Sequence, residues 1–285
     1  MDNSNNSIEI NDIFELSKKD KEGLKKWTPD KIKAYVIYLQ ERLEGLGEKC
    51  NTYVALRECT EKSISDAQKN DAFICDDYVE PRWRQVLESF LNIYDMLGYL
   101  TLLQMDTITT IINLLQAKSD TERILQCKHA YTILYEAKEN DLFKKVSAEM
   151  KKYPEELIKK EEYRELWKSI KDVSKEIFSS EEAKEIRNSI DAHKDHSFLK
   201  QISAYKKCNW TKSVLNLFMF DKLVDLLQQC MDIIKSNAKK LAERNLTEIK
   251  EYGKMLEVYC KAFRILENGG LLKNIRREDL GLSNN

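Results

Sequence analysis

Apolar residues recur along this chain at steps of three and four, the spacing of one face of an α-helix. Thr28-Pro29 pairs an N-cap residue with proline at the first helical position. Ile32, Tyr35, Val36, Leu39 and Leu43 follow, and Gly45 and Gly47 predict the end of that helix. A second helix is expected from about Asn51 to Ala67. The stretch Asn70 to Pro81, with four acids and a proline, predicts a linker or a change of direction.

The longest regular pattern comes after Pro81. Val86, Phe90, Ile93, Leu97, Leu100, Gln104, Thr107, Ile111 and Leu114 alternate steps of four and three, a heptad-like seam able to anchor a bundle. Gly98 inside it predicts close packing or a slight bend. Ser119-Asp120-Thr121-Glu122 reads as a capping box opening a helix with Ile124, Cys127, Tyr131, Leu134 and Tyr135 on one face. Beyond Pro154, Tyr163, Leu166, Trp167, Ile170, Val173 and Ile177 form a stripe, and a shorter helix is expected after Ser179-Ser180-Glu181-Glu182. Trp210, Val214, Leu217, Val224, Leu227, Met231 and Ile234 form the next long stripe. A final helix is expected through Ala242, Ile249, Tyr252, Leu256, Tyr259, Phe263 and Leu266, ending at Asn268-Gly269-Gly270.

Composition narrows the class. Only 8 glycines and 3 prolines occur in 285 residues, where average usage of about 7% and 5% would supply about 34. Sheets joined by tight turns consume both residues, and no Gly-rich phosphate loop can be found. The expected fold is all-α: a bundle of long antiparallel helices with a small N-terminal helical extension that packs against it or projects from it. The expected division is an N-terminal helical region over 1–76 and a bundle over 77–285.

Charge and cysteine bound the partners. The 47 basic and 48 acidic residues leave a net charge of -1, unlike a protein that coats nucleic acid through bulk electrostatics. A local excess does occur from Lys235 to Arg277, with eleven Lys or Arg against five Glu, and reads as a solvated helix face or a binding surface. Seven cysteines, odd in number and without CxxC spacing, give no support for a zinc knuckle or a redox dithiol. Their place among apolar residues suits small hydrophobes in a reducing cytosol, so a cytoplasmic location is expected. Met1 to Ser7 does not read as a signal peptide, and no apolar run approaches the roughly 20 residues of a membrane span. Trp83, Trp167 and Trp210 sit on apolar stripes and are expected in the core.

The outstanding polar cluster holds two of the three histidines: Arg187-Asn188-Ser189-Ile190-Asp191-Ala192-His193-Lys194-Asp195-His196. Three readings compete. His193 and His196 share a helical face and Asp191 or Asp195 could complete a metal site. No Glu-x-x-His pair occurs, however, and Lys194 interrupts any His-Asp doublet. The second reading is metal-free phosphodiester cleavage, in which Arg187 neutralises a phosphate and His193 moves a proton. Six residues separate them, so on an unbroken helix they point about 120° apart. They converge only if the helix breaks or a second protomer contributes its copy. In the third reading Arg187 simply pairs with Asp191 at i+4 on a surface helix.

The cluster resembles the HEPN signature: an Arg followed at once by a polar residue, then a His after four to six positions, within an all-α bundle. Arg187, Asn188 and His193 match it, with the small Ala192 before the histidine. The resemblance implies a homodimer that builds a metal-independent, cofactor-free endoribonuclease site from both protomers. It also implies a toxin, abortive-infection or antiviral setting, with a protein antitoxin or regulator as partner. By the same resemblance Arg187 would bind phosphate, Asn188 would orient backbone or substrate, and His193 would act as acid and base. Asp191, Asp195 and His196 stand as supporting candidates. The alternative is a non-catalytic helical protein-interaction module.

Overall fold

The structure is a computed structural model that describes residues 15–69, 79–140, 142–152, 160–178 and 198–268. These residues are helical with no strand among them, so the fold is all-α. The helices are α1 (Lys18–Lys25), α2 (Pro29–Lys69), α3 (Val79–Gln116), α4 (Asp120–Glu139), α5 (Leu142–Met150), α6 (Lys160–Phe178), α7 (Phe198–Lys207) and α8 (Trp210–Asn268).

α3 is the central element, packed most extensively against α2 and α8. Its predicted seam is buried from end to end. Ile93, Leu97, Leu100, Thr107, Ile111 and Leu114 have no exposure, and only Phe90 lies partly at the surface. α3 and α8 run antiparallel. Gln104 bonds Asp221, while ten residues on in α3 the Leu114 carbonyl accepts the Trp210 indole N–H at 3.1 Å. That bond satisfies one of the carbonyls a helix leaves unpaired in its last turn. α2 runs against α3, with Arg57 paired to Asp95, and α6 runs against α8, with Phe178 on Phe220.

Two apolar clusters fill the bundle. One gathers Ile93, Leu97 and Leu100 of α3 with Val146 of α5, Ile170 and Ile177 of α6, and Val224 to Ile234 of α8. The other gathers Val36, Leu39 and Leu46 of α2 with Ile111 and Leu114 of α3, Ile124 and Tyr131 of α4, and Trp210 and Leu217 of α8. Of the two arrangements left open for the N-terminal helices, packing is the one found.

Local signals explain most helix boundaries. Thr28 Oγ1 accepts the Lys31 N–H at 3.4 Å ahead of Pro29. The capping box at α4 is complete: Ser119 accepts the Glu122 N–H and the Glu122 carboxylate takes the Ser119 N–H. α3 begins at Val79, which puts Pro81 in the first turn, where its missing N–H has no intrahelical partner to lose. At α1, Ser17 accepts the Asp20 N–H, and the buried Asp20 carboxylate then takes the Thr211 N–H at 2.9 Å. α1 thereby places a negative charge at the N-terminus of α8, the favourable end of its dipole. Gly23 permits this approach, since a Cβ there would stand 2.6 Å from Thr211 Oγ1.

Three expectations are corrected. Gly45 and Gly47 do not end a helix; α2 continues through both to Lys69. Glycine inside a helix costs about 0.5–1 kcal/mol relative to alanine, and burial of Leu39 and Leu46 against the bundle outweighs that cost. The stripes through Ile234 and from Ala242 belong to one helix, α8, which ends at Asn268. Gly98 marks no close packing, since a Cβ there would meet nothing within 4 Å. The helix expected after Ser179 and the Gly269-Gly270 stop lie outside the described residues.

Candidate functional site

Arg187, Asn188, Asp191, His193, Asp195 and His196 all fall outside the described residues, in the span 179–197 that links α6 to α7. The helices on either side of that span are packed into the bundle. Ile177 is buried, and the Phe178 ring meets Phe143 and Phe220 at centroid distances of 6.1 and 6.3 Å. On the far side Ala204 of α7 is buried in the cluster with Trp210. The third histidine, His129, is exposed on α4.

Among the described residues, polar chemistry concentrates in two places. The first is a network inside the bundle. Arg42 of α2 forms a fork on Asp221 of α8, with Nη1 to Oδ2 at 2.6 Å and Nη2 to Oδ1 at 3.2 Å. It also reaches Asp225 at 3.5 Å. Gln104 of α3 donates to Asp221 at 2.9 Å and to Asp225 at 2.6 Å, and its own carbonyl accepts from Gln228 at 3.1 Å. Burial works against the Arg42 charge, but the Asp221 bond and the two aspartate charges outweigh it and hold the guanidinium above its ordinary value. The network ties α2, α3 and α8 together and engages both oxygens of Asp221.

The second place is a groove along α3. Asn92, Asp95, Met96, Tyr99, Asn140, Lys145, Glu149 and Lys152 line a cavity of about 400 Å³. A neighbouring cavity of about 200 Å³ shares Asn92 and Lys152 and extends past Ser89 to Gln85, with Ala238 and Leu241 opposite. From Gln85 to Tyr99 the groove follows α3 for about 21 Å at the helical rise. Glu149 is only 6% exposed. Lys152 holds its Oε2 at 2.5 Å, whereas no protein donor reaches Oε1. A buried carboxylate oxygen left without a donor is a costly group.

Three of the described cysteines are poorly placed as nucleophiles. Cys127 and Cys230 are buried and Cys208 partly so, and burial pushes all three thiols up to about 12, leaving them protonated at neutral pH. Trp210 is a core residue, as expected, and Trp167 is partly buried and stacked on Tyr163. The Trp83 side chain lies outside the described residues. Among the described residues, no three His, Cys, Asp or Glu side chains gather as a metal site, and no helix is long and apolar enough to cross a membrane.

Sequence reasoning passed over Arg42, Asp221, Glu149 and Lys152. Gln104 carried the one available signal, a polar residue at a seam position. Arg42 and Asp221 stand 179 residues apart, and nothing local announces that pairing. The described residues thus define an all-α bundle with a locked polar interior and an open polar groove. Set against known proteins, the chain matches no family model, no curated protein and no solved structure.

Proposed function

We propose that this protein is a metal-independent endoribonuclease of HEPN type, acting in the cytoplasm as a homodimer. The observation that carries the reading is the Arg187-Asn188 pair followed by His193, set within an all-α protein. Arginine supplies a permanent planar charge for the scissile phosphate, and histidine exchanges a proton near neutral pH. Arg187 neutralises the phosphate, His193 assists 2′-hydroxyl attack or leaving-group departure, and Asn188 orients the substrate or backbone. Asp191, Asp195 and His196 support the site. A toxin, abortive-infection or antiviral role under a protein antitoxin or regulator fits such an enzyme.

The test is RNA cleavage in excess chelator by wild type, His193→Ala and Arg187→Ala. Wild type is expected to cleave. Each variant is expected to lose about 100-fold or more, the usual size of a general acid–base contribution for His193 and of charge stabilisation for Arg187. Undiminished cleavage by both variants removes the site. No cleavage by wild type favours the second reading, a non-catalytic helical interaction module. That reading draws on large apolar side chains left more than half exposed, Leu102 on α3 and Leu215 on α8.

A further inference from the structure

We infer that the corner formed by the α1–α2 turn and the first turns of α2 is a docking surface for single-stranded RNA. Four rings meet there. Trp27 lies 6.0 Å from Tyr35 and 6.2 Å from Phe218 of α8, and Tyr35 lies 5.4 Å from Phe218 and 5.7 Å from Tyr38. Tyr38 forms the outer edge, 49% exposed, with the Arg42 guanidinium 5.9 Å from its ring centre. Lys31, Tyr35, Tyr38 and Arg42 fall at i, i+4, i+7 and i+11, one face of α2 extending about 16 Å. Lys25 and Lys26 immediately precede Trp27 in the chain.

The charge around these rings selects the occupant. Lys25, Lys26 and Lys31 are exposed, and none is held in an ion pair among the described residues. Of the acids on the same stretch, Asp20 is buried and spent on Ser17 and Thr211, and the exposed Glu22, Asp30 and Glu41 are outnumbered by the exposed Lys25, Lys26, Lys31 and Lys33. Arg42 is already neutralised by Asp221 and Asp225, so it braces Tyr38 instead of meeting phosphate. Exposed aromatic edge beside unpaired ammonium groups is the pairing that single strands use, with bases on rings and phosphates on cations. The surface rests on the ribonuclease reading for its purpose, delivering substrate, and is measured apart from cleavage.

The probe is a fluorescein-labelled oligouridylate of about 12 nucleotides, a length within the usual site sizes. Its anisotropy is followed on the full-length His193→Ala chain across a salt series. Adding Tyr38→Ala is expected to weaken binding about five-fold or more, the low end for one stacked base, while Tyr38→Phe keeps the ring and the affinity. Adding Lys26→Glu and Lys31→Glu is expected to flatten the logarithmic salt slope by about 1.4, at about 0.7 for each phosphate that no longer meets a lysine. Equal affinity and slope in all variants, or no binding at low salt, overturns the surface. Displacement by polyglutamate at equal charge assigns it to an acidic polypeptide and also overturns it. Loss of binding in the variants beside a wild type that cleaves no RNA keeps the surface and removes the nuclease. Cleavage with unaltered binding does the reverse.

Discussion

Asp221 and Glu149 are both buried carboxylates, and the protein treats them in opposite ways. Asp221 receives an arginine fork and a glutamine amide, so both of its oxygens are engaged by groups from two other helices. Glu149 receives one lysine from three residues further along its own chain, and its second oxygen meets no protein donor. A buried charge is tolerated only when paired and hydrogen-bonded. The difference therefore separates a structural lock from a carboxylate left half-satisfied on a residue that lines a cavity. It also explains why the lock sits where α2, α3 and α8 meet, whereas Glu149 lies on the short α5 beside open space.

Replacing Arg42 with methionine is expected to have the largest effect. It keeps much of the packing stem but strips Asp221 of its fork, and the cost is about 2–3 kcal/mol, reduced from the fully buried case because the Arg42 side chain is 23% exposed. Urea denaturation measures it; a change under about 0.5 kcal/mol would show that the network is incidental. Glu149→Met should go the other way. Removing a half-satisfied carboxylate is expected to stabilise the fold by about 1–2 kcal/mol. If Glu149→Met instead destabilises as Arg42→Met does, the contrast between the two carboxylates collapses.

Glu122 extends the comparison to the surface. It is exposed, yet its carboxylate takes the Lys118 and Ser119 N–H groups, and those bonds hold it below its ordinary value. A lowered folded-state value means that the stabilisation is fully present above the ordinary carboxylate value and is lost as pH falls through the lowered one. Wild type melted at descending pH is therefore expected to lose ground to Glu122→Gln in acid, where the wild-type carboxylate protonates. Parallel pH profiles for the two proteins would contradict this. Ser119→Ala removes the reciprocal half of the box, with an expected loss of about 1 kcal/mol.

Much of this architecture was readable beforehand because helical burial repeats with a short period. The seam from Val86 to Leu114, the stripe from Trp210 to Ile234 and the capping box at Ser119 are local patterns, each decided by residues within a few turns. The lock was not readable, since Arg42, Gln104 and Asp221 come together only through tertiary packing. Nor was the aromatic corner: Tyr35 belongs to a visible stripe, but Phe218 reaches it from α8. The Arg187–His193 signature lies outside the described residues and stands on its spacing alone.

The two glycines in α2 supply the smallest effect. Their local signal is to stop a helix, and yet Arg42 and Leu46 flank Gly45 on one continuous helix. If tertiary burial carries the helix across them, then easing the local conflict should add stability without altering the packing. A Cβ built at Gly45 or Gly47 meets nothing within 4 Å, so neither alanine has a clash to overcome. Gly45→Ala and Gly47→Ala are each expected to stabilise by about 0.5 kcal/mol, chiefly by restricting the unfolded chain. The double variant is expected to add the two gains and to leave the cost of Arg42→Met unchanged. A double variant that loses stability, or that changes the cost of Arg42→Met, would mean that α2 needs a flexible point between its N-terminal and C-terminal halves.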